Sequence, residues 1–180
     1  MMNKDKILAS IVNEAFNKFL KEYDDMMQKE QTDEYILLNA DPNDIIFEKG
    51  DNLGLIHVNI YVNDKLINIK GLRLSVEPKP RIESGAFQLH ISVPTALRQK
   101  GVATKLYTVF LQKYGNIVSL YSNRIGTYAK ENGMSVSHDS AIDKMLLSAA
   151  KNASADVERL YFGNTEAGLI LFREDKREWM

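Results

Sequence analysis

Residues 89–106 read Leu89-His90-Ile91-Ser92-Val93-Pro94-Thr95-Ala96-Leu97-Arg98-Gln99-Lys100-Gly101-Val102-Ala103-Thr104-Lys105-Leu106. Phe87, Leu89, Ile91 and Val93 alternate with Gln88, His90 and Ser92, the period of a half-buried strand. Val102, Leu106, Val109 and Phe110 recur at helical spacing, and Gly115 is placed to stop that helix. Ile117-Val118-Ser119-Leu120-Tyr121 follows as a second short apolar strand. Strand, helix and strand in that order predict a parallel pair joined by a right-handed crossover. Ligands of such units sit at the carboxyl ends of the strands, where residues 98–103 fall. A helix start leaves N–H groups without intrahelical partners and carries the positive end of the helix dipole. Glycine lets a phosphate approach that backbone closely, so an anion cradle is expected at Gly101 to Thr104.

The surrounding charge points the same way. Between Glu83 and Glu131 there is no Asp or Glu, yet the window holds Arg98, Lys100, Lys105, Lys113, Arg124 and Lys130. Buried strands account for the missing acids but not for the cations, so this face is expected to attract anions. The chain as a whole carries a net charge of −1, which argues against a general nucleic-acid binder. Absence of cysteine excludes disulfides and thiol chemistry and disfavours zinc. His57, His90 and His138 form no metal-ligand spacing, so no metal is expected. No apolar run approaches a membrane span, and Asn3-Lys4-Asp5-Lys6 and Asn13-Glu14 interrupt any signal-peptide core. A cytoplasmic protein without a membrane partner is expected.

Working outward, the 180 residues are expected to form a single domain, with 1–30 a long amphipathic helix and 173–180 a charged tail. Ile7, Leu8, Ile11, Val12, Ala15, Phe16, Phe19, Leu20, Tyr23, Met26 and Met27 recur at three- and four-residue steps. At about 40 Å this helix exceeds what a small sheet needs for cover. It either packs on the core or docks a second subunit or a protein partner. Strands are expected at Tyr35–Leu38 and Ile45–Glu48, around the turn Asp41-Pro42-Asn43-Asp44. Leu53–Val62 and Lys65–Pro78 read as a hairpin closed by Asn63-Asp64. Apolar parity changes between Ile67/Ile69 and Leu72/Leu74/Val76, predicting a bulge near Lys70-Gly71. Residues 122–133 read as irregular or weakly helical. Asp139-Ser140 can cap a helix bearing Ile142, Met145, Leu146, Ala149 and Ala150 on one face. Val157–Phe162 and Ala167–Phe172 form a last hairpin around Gly163-Asn164. The expected class is α+β in three layers, with a mixed, mostly antiparallel sheet of roughly six or seven strands and one parallel β-α-β unit.

This order of elements resembles the GNAT superfamily of acyl-CoA N-acyltransferases over about 140 residues. The family's Arg/Gln-x-x-Gly-x-Gly/Ala motif is matched by Arg98-Gln99-Lys100-Gly101-Val102-Ala103, and Ile91-Ser92-Val93-Pro94 is similar to its motif strand. The resemblance implies acetyl-CoA as co-substrate and direct attack of an amine on its thioester. It implies that the amides of Gly101, Val102 and Ala103, with Gln99 and Thr104, hold the coenzyme A pyrophosphate, while Arg98 and Lys100 add charge. The backbone of Ile91 and Val93 would pair with the pantetheine arm, entering between Leu89–Val93 and Ile117–Tyr121; Asn123 joins the cofactor contacts.

The chemistry needs a neutral amine, and a lysine-type amine has a pKa of about 10.4, so a base must take its proton. Asn123 to Met134 resembles the family segment ending Tyr-x-Lys-x-Gly-Phe, which makes Tyr128 the expected acid for the leaving thiolate. It departs from the pattern in a longer Tyr-to-Gly spacing and in Met134 for the aromatic. No acidic residue lies on the motif strand. The base is either His90, whose ordinary pKa is about 6.5, or Glu83 from the preceding loop. The acceptor is a small-molecule or protein amine. The alternative is a catalytically silent GNAT-fold scaffold or interaction protein, associated with assembly, that docks through its first helix. Nucleotide-binding fingerprints are absent.

Overall fold

The computed structural model describes residues 4–30, 32–53, 55–80, 85–120 and 141–173. The chain separates into two compact units, Met1–Asn39 and Ala40–Met180.

The first unit holds α1 (Lys4–Glu30), the long helix expected from the apolar period, and α2 (Asp33–Asn39). The strand expected at Tyr35–Leu38 is therefore helical. Local capping decides it. Thr32 Oγ1 accepts from the Tyr35 N–H at 3.3 Å, and the Thr32 carbonyl accepts from the Ile36 N–H at 3.0 Å. Asp33 and Glu34 place negative charge in the first turn, at the positive end of the dipole. Four apolar residues in a row carry too little periodicity to outweigh such a start.

The second unit begins with a 3-10 turn, Pro42–Asp44, whose cap Asp41 accepts from the Asn43 N–H at 2.8 Å. Then come β1 (Ile45–Leu53), β2 (Leu55–Val62), β3 (Lys65–Leu66), β4 (Arg73–Pro78) and β5 (Ala86–Ser92). A 3-10 turn at Thr95–Leu97 leads to α3 (Val102–Lys113), β6 (Asn116–Leu120), α4 (Ala141–Ala153), β7 (Asp156–Phe162) and β8 (Thr165–Phe172). The sheet runs β1-β2-β4-β5-β6-β8-β7, with β3 paired to β2 off that path. Every neighbouring pair is antiparallel except β5 and β6.

Among the described residues the sheet has eight strands, more than expected, because the β2–β4 hairpin breaks in two. Asn63 and Asp64 close its tip with φ of 48° and 63°. Past β3 the chain leaves the ladder, turns at Gly71 (φ 86°) and returns. Val58 then faces Leu74, where an uninterrupted hairpin would bring Ile69. The parity change thus marks an excursion longer than one bulged residue.

Register sorts the central strands into two faces. Val58, Leu74 and Ile91 align in one row, and Ile56, Val76 and Leu89 in the next, on the apolar face. Helices α3 and α4 pack against each other. Phe110 of α3 is fully buried, edge-on to Phe87 at 5.5 Å between ring centroids. Phe47 lies 5.2 Å from Tyr114, whose hydroxyl oxygen accepts the Phe47 N–H at 2.7 Å. Burial raises the Tyr114 pKa, and the Phe47 hydrogen bond partly opposes this. Tyr114→Phe leaves that amide without its partner, and an equilibrium urea titration should read a loss of about 1–2 kcal/mol.

Candidate functional site

The turn after β5 builds the cradle. Leu97 N–H closes on Pro94 O at 2.9 Å and Arg98 N–H on Thr95 O at 3.3 Å. Gln99 and Gly101 then take positive φ, 61° and 77°. Gly101 is the N-cap of α3, with no side chain bonded to the helix end. Its carbonyl accepts the Lys105 N–H at 2.9 Å, so the helix is formed from its first residue. Among the described residues, no backbone carbonyl accepts a hydrogen bond of good geometry from the N–H groups of Gln99, Lys100, Gly101, Val102, Ala103 or Thr104, although the chain turns tightly at 98–101. A Cβ built on Gly101 would meet nothing within 4 Å, so the approach to this backbone is open.

Beside the cradle the sheet parts. The β5–β6 ladder consists of Ala86↔Asn116 and Phe87↔Ile117, while β6 stays paired with β8 as far as Leu120↔Gly168. The Gly85 carbonyl accepts from Asn116 N–H, and the Ala86 carbonyl accepts from Lys79 N–H on the opposite edge. Successive residues of a strand direct their backbone groups to alternate edges. Leu89 and Ile91 therefore turn their N–H and C=O groups into the gap. Tyr107 of α3 closes its floor, with its hydroxyl 3.4 Å from the Leu89 carbonyl and its pKa pushed up to about 12 by burial. That phenol stays protonated across the physiological range. The Val93 carbonyl accepts from Arg98 Nε at 3.1 Å, which holds the guanidinium beside the cradle.

Some of the cations in the acid-free window have other work. Lys105 Nζ donates to the Ala40 carbonyl at 2.9 Å, and Lys113 Nζ donates to the Asn43 and Ile45 carbonyls at 2.6 and 2.7 Å. Burial lowers the pKa of both, and Asp41 opposes it at each, helped by Asp44 at Lys113. These lysines fasten α3 to the chain entering β1. Arg98 and Lys100 remain exposed at the cradle.

On the polar face of the sheet, register sets His57, Ser75 and His90 side by side. Ser75 is buried, and its Oγ lies 3.1 Å from His57 Nδ1. His90 Nε2 lies 3.4 Å from Glu77 Oε2, and Lys79 Nζ donates to Glu77 Oε1. His90 projects from the motif strand as expected and has a carboxylate on its ring. Sequence reading missed Glu77, Ser75 and His57. The signal that finds them is cross-strand register, since each lies a strand away from its partner.

The Lys79 hydrogen bond, then the His90 hydrogen bond and both charges, hold Glu77 below the usual carboxylate range, against a raising effect of burial. A depressed pKa contributes stability in full above the unfolded value and loses it as pH falls through the folded one. Urea midpoints measured down the acid limb should fall less steeply for Glu77→Gln than for the parent. The effect is small, because the Glu77 side chain is 39% exposed.

Glu83, Asn123 and Tyr128 lie outside the described residues, as do Arg124 and Lys130. Among the described residues no group of three or more His, Asp or Glu could hold a metal ion, and no helix is long and apolar enough to cross a membrane. Compared with protein-family models, curated proteins and solved structures, the chain matches none.

Proposed function

We propose that the protein is an N-acetyltransferase that moves the acetyl group of acetyl-CoA to an amine. One observation carries this reading: a run of backbone N–H groups with no well-formed hydrogen bond to a carbonyl among the described residues opens a helix beside a parallel strand pair whose ladder is short. Two phosphates need donors and positive potential, and the start of α3 supplies both, with Arg98 and Lys100 alongside. The pantetheine arm carries amides, which suit the strand-edge groups of Ile91 and Leu89 in the gap. The element order, with Arg98 to Ala103 between the motif strand and its helix, further supports the GNAT resemblance.

His90 is the base in this reading. Its imidazole takes the amine proton, directly or through water, while Glu77 holds the ring. The amine nitrogen then bonds to the acyl carbon and the C–S bond breaks. Tyr128 protonates the departing thiolate, as the resemblance implies. Glu77 thus sets a carboxylate beside the motif strand through His90, and Glu83 stays the alternative base.

Thermal-shift titration with acetyl-CoA and with coenzyme A tests the binding step. A rise in Tm that grows with the logarithm of ligand concentration above Kd is expected for each, since a ligand bound only to the folded state stabilises it by mass action. No rise at millimolar ligand overturns the reading. Thiol release with a panel of lysine peptides and polyamines tests the chemistry. A Tm rise without turnover on any amine would favour the silent scaffold.

A further inference from the structure

We propose that α1 pairs antiparallel with α1 of a second copy of this chain. Helix α1 is 27 residues long. Val12, Phe16, Phe19, Tyr23 and Met26 fall on alternating four- and three-residue steps, the seam of a helix pair. All of them are exposed, from 46% at Tyr23 to 61% at Phe19. Leu20 and Met27 widen the stripe and are exposed too. An apolar strip of this length on one helix is beyond the scattered exposure of ordinary surfaces.

The seam specifies its occupant by size. Set antiparallel about its middle, Phe16 meets Phe19 of the other copy and Val12 meets Tyr23. The same register carries Met26 to position 9, an alanine. Large residues meet small ones outside a central aromatic layer, so the layers have similar volumes. A parallel register would stack Tyr23 on Tyr23 and Val12 on Val12, crowding one end and leaving a gap at the other. Antiparallel axes also oppose their dipoles. Phe19 and Tyr23 already stack at 6.4 Å between centroids, so less side-chain freedom is lost on pairing. Two helices of this length with such a stripe bury roughly 1,000–1,500 Å² in total, which reaches the threshold of about 1,000 Å² for a biological interface and the lower part of the range of stable ones. A lipid surface fits less well. Its helices carry a basic polar face, whereas α1 mixes lysines with acids, as in the Lys18–Glu22 pair.

Sedimentation velocity on the full chain at tens of micromolar should give twice the monomer mass. Phe16→Asp with Phe19→Asp should give a monomer. The parent sequence contains no cysteine, so single cysteines report the register unambiguously. Val12→Cys mixed with Tyr23→Cys should form a disulfide-linked mixed dimer under mild oxidation. Val12→Cys alone should cross-link far less. A monomeric parent overturns the proposal, and so does efficient Val12→Cys self-linkage, which means a parallel pair. The cross-linking arm keeps the parent stripe nearly intact, so it decides the matter even if the double aspartate variant fails to fold.

Discussion

Gly168→Ala is expected to destabilise the second unit by about 3 kcal/mol or more, enough to move its urea midpoint well below the parent's. Gly168 sits in β8 between Leu120 of β6 and Leu160 of β7. A Cβ there would overlap the Ser119 carbonyl oxygen and lie 3.1 Å from Leu120 Cα. Both obstacles are backbone, so no side-chain rotation relieves them. One of the two strands must move. Strand β8 is held on its other edge by β7, whose ladder runs from Asp156↔Phe172 to Phe162↔Thr165. Strand β6 is free of β5 beyond Ile117, so it yields first, and it yields into the gap. The same substitution should therefore shrink the acetyl-CoA-dependent rise in Tm, beyond its effect on stability alone. Gly163→Ala is the control. Gly163 has positive φ, 61°, which Gly168 does not, but a Cβ there meets nothing within 4 Å, so only conformational strain of roughly 1 kcal/mol applies. A Gly168→Ala protein as stable as the Gly163→Ala one would mean that the β6–β8 contact is looser than described.

What the sequence makes legible follows from which forces are local. Strand β5, α3, β6, α4 and the β7–β8 hairpin each carry several turns or pleats of one period, with glycine or Asp-Ser punctuation at their ends, and they form where that pattern places them. Helix α2 does not, because its start depends on a Thr32 hydroxyl and two acids rather than on periodicity. The break between β3 and β4 is visible as a parity change near Gly71, but its length depends on how much chain β2 rejects, which is tertiary. At the site, the cradle is written in consecutive residues, Arg98 to Thr104, and so is readable. The polar row is not: His57, Ser75 and His90 become neighbours only when three strands settle into register. Charge is the most misleading signal. Lys105 and Lys113 look like part of an anion-attracting face, yet their ammonium groups are aimed at carbonyls of Ala40, Asn43 and Ile45. A sequence displays cations but not the carbonyls waiting for them.

Those two lysines being committed elsewhere, the proposed affinity for a diphosphate would rest on the backbone at Gly101, and substitutions there should separate shape from charge. Gly101 holds φ 77° and ψ 5°. Alanine there meets no atom within 4 Å, so Gly101→Ala pays only the left-handed strain, about 1 kcal/mol of stability. Its Cβ stands near the donors but leaves them unbonded, so most of the acetyl-CoA response should survive. Glutamate in the same place sets a carboxylate among the N–H groups and repels the ligand's own charge. A ligand at a hundred times its Kd stabilises by about 2.7 kcal/mol, roughly 5–10 °C for a domain of this size. Gly101→Glu should abolish that shift, a loss of at least about a hundredfold in affinity by the same relation. Lys100→Glu, which reverses an exposed charge beside an intact backbone, should weaken binding and flatten its decline with added salt, since less attraction is left to screen. A full shift retained by Gly101→Glu would place the diphosphate elsewhere, whatever the turnover of the parent. A shift lost equally in Gly101→Ala and Gly101→Glu would assign the role of this glycine to its left-handed turn, with electrostatics secondary.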